Sequence, residues 1–72
     1  MKTKADVLKS LLNKEVYIES LDSGGLYIWN KPGQYAGYNY TIIDIGEDVF
    51  TAKQPSNTTV FSIDYVKKIV IS

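Results

Sequence analysis

The chain has 72 residues, and its eight acidic side chains are balanced by eight lysines, leaving no net charge. It has no Cys, no His and no Arg. This excludes a disulfide scaffold and a thiolate or imidazole metal site, and it lacks the basic surplus that usually marks a nucleic-acid module. One domain is predicted, spanning residues 1–72. At this size a folded chain buries only about 60% of its unfolded surface, so association with other subunits is a natural source of extra stability.

The elements follow in chain order. Thr3 with Asp6 three residues later predicts a capped helix over about 4–13. Val7, Leu8, Leu11 and Leu12 fall at helical spacing and form an apolar stripe, and Asn13 marks the end. The segment MKTKADVLKSLLNK has no unbroken apolar run, so neither a secretory signal nor a membrane span is expected, and the cytoplasm is the expected compartment. Glu15–Leu21 alternates, with Val16 and Ile18 facing one way and Tyr17 and Glu19 the other. Asp22-Ser23-Gly24-Gly25 is a turn, Leu26–Trp29 a short apolar run, and Asn30-Lys31-Pro32-Gly33 a second turn. Tyr35–Ile45 reads as one long strand with Tyr38 and Tyr40 on the same face. Gly46-Glu47-Asp48 breaks it. Strands are then predicted at Val49–Lys53, Thr58–Ile63 and Lys68–Ile71, with a tight turn at Asp64–Lys67.

A helix followed by about five strands with tight turns predicts a mainly β fold: a small, strongly bent antiparallel barrel. Tyr35-Ala36-Gly37, the strand YNYTII, Asp44 followed four residues later by Asp48, then VFTA and FSIDYVKKIVIS carry a resemblance. Together they resemble the Sm-like family, whose members place an N-terminal helix on a five-stranded SH3-like barrel. The resemblance implies a homo-oligomeric ring, closed by pairing the fourth strand of one subunit with the fifth of the next. It also implies single-stranded RNA as a ligand. On this reading Phe61, Ile63, Tyr65, Ile69 and Ile71 are the candidate subunit-interface residues. The departures are specific. One extra residue separates Gly37 from Asp44, Asp48 stands where the family has a base-contacting Asn, and the second motif's Arg or His has no counterpart. The family's uridine pocket is therefore not expected, because a carboxylate repels phosphate.

Residues 23–40 hold five of the nine aromatic residues amid Gly, Pro and Asn, in an unusually long connection between the first two barrel strands. Trp29, Lys31 and Tyr35 are candidate ligand contacts there, for stacked bases or for a peptide or partner chain. Asp44 and Asp48 are candidates at the next turn, where turn chemistry alone also accounts for them. With Glu47 they form a weak oxygen set that lacks the spacing of a calcium loop, so no metal and no cofactor are expected. Lys67 is a candidate phosphate contact. No phosphate loop, nucleophile elbow or paired acid–base set is present, so an enzyme is not expected. Two functions remain: a ring-forming module binding single-stranded RNA, or an interaction barrel binding a peptide or partner chain.

Overall fold

The computed structural model describes residues 2–71; Met1 and Ser72, the two ends of the predicted domain, lie outside them. The chain is mainly β with one short helix, α1 (Lys4–Lys9). Six strands follow: β1 (Glu15–Ser20), β2 (Leu26–Trp29), β3 (Asn39–Ile45), β4 (Val49–Lys53), β5 (Thr58–Ser62) and β6 (Val66–Val70). They form one mixed sheet in the order β5-β4-β3-β1-β2-β6.

The predicted five-stranded closed barrel is thus corrected to an open six-stranded sheet, and β2 is the reason. A meander of β1, β3, β4 and β5 leaves β1 free to meet β6 and close. Instead the Leu26–Trp29 run pairs antiparallel with β1 and parallel with β6, wedging between them. The long connection is an extra strand of the sheet. Gly24 makes its turn possible, with φ at 91° where only glycine is unstrained.

Alternation sets the two faces. Val16, Ile18, Leu26, Ile28, Ile42, Phe50 and Ala52 point inward and are buried with Leu8, Leu11, Ile63 and Val66. Tyr40 and Phe61 pack against this core with their rings edge-to-face, while Phe61 stacks on Phe50 at 5.3 Å. Two expectations change here. Ile63, a candidate interface residue, is buried in the chain's own core, and Phe61 and Ile69 pack against it. Tyr38 and Tyr40 do not share a face. A single 3₁₀ turn at Ala36–Tyr38 replaces the first part of the predicted long strand. Gly37 and the turn rotate Tyr38 outward, whereas Tyr40 starts the inward alternation of β3. A bulge between Ile42 and Asp44 then shifts the register against β4.

The helix is shorter than predicted. Its last turn loosens after Lys9, and Asn13 adopts a left-handed φ of 65°. The Asn13 N–H donates to the Ile42 carbonyl at 2.6 Å and ties the helix exit to β3. Leu12, predicted to join the apolar stripe, is exposed because the helix no longer carries it inward.

The capping box is present. The Asp6 N–H donates to Thr3 Oγ1 and the Thr3 N–H donates to the Asp6 carboxylate, both at 3.1 Å. The bond from the Thr3 backbone holds the Asp6 carboxyl below its usual value of 3.8. Its stabilising contribution is complete above that value and is lost as pH falls through the lower folded value. Far-UV circular dichroism of the Asp6→Asn variant should therefore match wild type once the pH is low enough to protonate Asp6 in the folded chain, and show less helix at neutral pH. A wild-type helix signal independent of Asp6 at pH 7 would contradict this.

Candidate functional site

The outer face of the sheet carries a continuous aromatic row. Tyr27, Trp29, Tyr17, Tyr38 and Tyr35 follow one another, with neighbouring ring centroids 6.1, 5.4, 5.9 and 6.3 Å apart. Each ring meets the next edge-to-face, at 75–79°. Lys68 Nζ sits 5.4 Å from the Tyr27 centroid and caps that end by a cation–π contact. β1 and β2 position the first three rings, since Tyr17 lies opposite Trp29 in the register. The 3₁₀ turn supplies the last two.

Tyr17 is the keystone of this row. Gly33 lies directly on its ring: a Cβ at position 33 would fall 1.9 Å from Tyr17 Cδ2. The loop over it is pinned by side-chain amides. The Gly33 N–H donates to Asn39 Oδ1 at 2.9 Å, and Gln54 Nε2 donates to the Gly37 carbonyl at 2.7 Å. Burial beneath this loop raises the Tyr17 hydroxyl pKa, with nearby Glu19, Tyr38 and Tyr35 adding to the effect. Gly33→Ala should therefore lift the loop, destabilise the fold by about 1–3 kcal/mol and shift Trp29 fluorescence toward the red. Unchanged emission and an unchanged melting temperature would contradict the close approach.

Beside the row, Tyr17, Trp29, Lys31, Pro32 and Gly33 line a shallow cavity of about 180 Å³. A larger hollow of about 300 Å³ lies over Thr41 and Ile43, between Glu15 and Lys53. A third, of about 230 Å³, lies where α1 meets β6. Lys2, Lys4, Lys67 and Lys68 surround its apolar floor of Val7, Val66 and Ile69. Half of the chain's lysines converge there, and none forms an ion pair among the described residues.

The sequence-predicted ligand residues separate into three places. Trp29, Lys31 and Tyr35 join the aromatic row. Asp44 and Asp48 lie toward the far end of β3, a strand roughly 20 Å long at about 3.3 Å per residue. Both are exposed. The Asp48 carbonyl accepts from the Ile63 N–H at 2.8 Å, a structural turn contact. No group of three His, Cys, Asp or Glu side chains that could hold a metal exists among the described residues. Lys67 belongs to the basic hollow, its stem lying over Gly25. Of the candidate interface residues, Tyr65 and Ile71 are exposed on either side of β6. Sequence reasoning missed Tyr17 as the centre of the row, although its outward place in β1 was the available signal. It also missed Asn39 as the loop clamp and Lys2 and Lys4 as partners of Lys67.

Both ends of the sheet are open: β5 pairs only with β4, and β6 only with β2. Their outer rims carry unpaired backbone groups, with Val60, Tyr65 and Ile71 exposed at 61%, 58% and 57%. Exposed Glu47 and Asp48 precede Val49, which pairs with Ser62, and exposed Asp64 follows Ser62, so the three acids gather around the C-terminal end of β5, while Lys67 and Lys68 lie in β6. No described helix is long and apolar enough to cross a membrane. No family model, curated protein or solved structure matches the chain.

Proposed function

We propose that this chain is a self-assembling, non-enzymatic Sm-like module in which β2 is an insertion. Removing β2 from the sheet order leaves the helix-plus-five-strand arrangement of the resemblance. β2 is antiparallel to β1 and parallel to β6, so β6 keeps the direction a strand closing onto β1 would have.

One observation carries the reading. Exposed apolar side chains lie at the two uncovered edges, Val60 in β5 and Tyr65 and Ile71 on either side of β6, with charges of opposite sign near them. β5 of one copy adds antiparallel to β6 of the next. This brings Asp48 and Asp64, at the end of β5, to Lys67 and Lys68 at the start of β6. Such a contact is heterologous, and it makes a ring where its rotation closes. Pairing satisfies both edges, which otherwise invite uncontrolled addition. It also covers Val60, Tyr65 and Ile71. RNA, which the resemblance implies, would compete with the neighbouring copy for the same lysines and is not part of the proposal.

Light scattering coupled to size exclusion tests it. A single species several-fold heavier than the 8.1 kDa chain is expected. A monomer at high micromolar concentration and low salt would overturn it.

A further inference from the structure

We infer that the aromatic row on the outer face is a docking groove for an extended, proline-rich peptide with an acidic flank. The inference does not rest on assembly: the rings lie on the face of the sheet, and Lys68 is the one residue used that belongs to an edge strand.

Ring geometry decides against a base-stacking platform. Stacking needs flat ring faces offered in parallel, whereas here each ring presents its edge to its neighbour's face. The face of Tyr27 is further occupied by Lys68. Perpendicular rings make ridges with slots between them. Polyproline II chains, which expose rigid apolar rings at a rise of about 3.1 Å per residue, dock into aromatic-lined grooves of that kind. The slot beside the row is the shallow 180 Å³ cavity lined by Trp29, Lys31 and Pro32, with the buried Tyr17 ring and Gly33 at its floor.

The groove is built in advance. Asn39 and Gln54 fix the loop that forms its wall, so little freedom is lost on binding. Charge completes the match. Lys31 stands at the rim of the slot and Lys68 at the Tyr27 end of the row, while Glu19, opposite Tyr27 in the register, is the carboxylate beside them. The ammonium surplus fits an acidic residue beside the proline core. Two lysines with no arginine are a poor match for the continuous phosphates of a nucleic acid.

The test is calorimetric titration of the wild-type chain with an oligoproline peptide ending in two glutamates. The same peptide with alanine for proline, an oligoproline without glutamates, and oligouridine at low salt serve as comparisons. Saturable binding of the acidic oligoproline is expected, with amide shifts centred on Tyr17, Trp29 and Gly33. Lys31 is exposed, so Lys31→Glu preserves the fold. This change should weaken the acidic peptide and leave the glutamate-free one unchanged. Trp29→Ala, checked for folding by circular dichroism, should weaken both by at least about tenfold. Absence of saturable binding by the acidic oligoproline, equal binding of the alanine peptide, or tighter binding of oligouridine would each overturn the proposal.

Discussion

Replacing Phe50 with alanine should remove a large fraction of the fold's stability and lower its melting temperature sharply. Phe50 is 1% exposed near the start of β4, stacked on Phe61 with an interplanar angle of 27°. It belongs to the single buried cluster that α1, the strands and the second 3₁₀ turn share. Truncating a buried phenylalanine costs about 3–5 kcal/mol. Domain stability of roughly 0.05–0.15 kcal/mol per residue gives a chain of this length only about 4–11 kcal/mol in total. Phe50→Leu retains most of the volume and should keep a cooperative transition at lower temperature. Phe61→Ala should cost less, because Phe61 is only partly buried. Thermal unfolding followed by far-UV circular dichroism orders the three variants. A Phe50→Ala melt as steep and as high as wild type would mean that the β4–β5 half contributes little to the core.

The second large effect concerns assembly. A heterologous edge contact has two distinct halves, and each is blocked separately. Lys67→Glu with Lys68→Glu places carboxylates against the neighbour's Asp48 and Asp64. Like charges across such a contact cost several kcal/mol and suppress association. Asp48→Lys with Asp64→Lys does the same from the other side. Each double variant alone should therefore run as a monomer. Mixed, the two should reassemble into species larger than a dimer in which the variants alternate. One variant carries acids at both edges and the other lysines at both, so each copy meets only the other kind and every such contact pairs opposite charges. Light scattering of each variant and of the equimolar mixture checks this. Full-sized assemblies from either variant alone would show that the charged ends do not select the contact. Screening by salt should weaken the wild-type assembly in the same direction.

Much of this architecture is legible in local sequence. The Thr3–Asp6 box, the left-handed Asn13 and the Val16/Ile18 against Tyr17/Glu19 alternation all follow from side-chain chemistry acting over a few residues. The sixth strand does not. Leu26–Trp29 is recognisable as an apolar run, but its pairing with β6 is parallel and joins segments about forty residues apart, which no local pattern encodes. The Tyr35–Ile45 segment misleads because its residues are strong β formers on both sides of Gly37. The clamp of Asn39 on Gly33 and the support of Gln54 under Gly37 favour a turn there instead. Of the candidate site, Trp29, Lys31 and Tyr35 were visible as aromatic and basic residues in a turn-rich stretch. That they share one groove with Tyr17 and Tyr38 depends on the loop folding back over β1. The basic hollow was invisible for a similar reason: Lys2 and Lys4 meet Lys67 and Lys68 only when the two ends of the chain come together.

The central claim, that β5 and β6 are joined between copies, is tested most directly by amide hydrogen exchange read residue by residue across a dilution series. At high concentration the outward-facing amides of Thr58–Ser62 and Val66–Val70 should exchange slowly, and on dilution they should become fast while β1 and β3 amides stay protected. Edge amides that exchange rapidly at every concentration would contradict it.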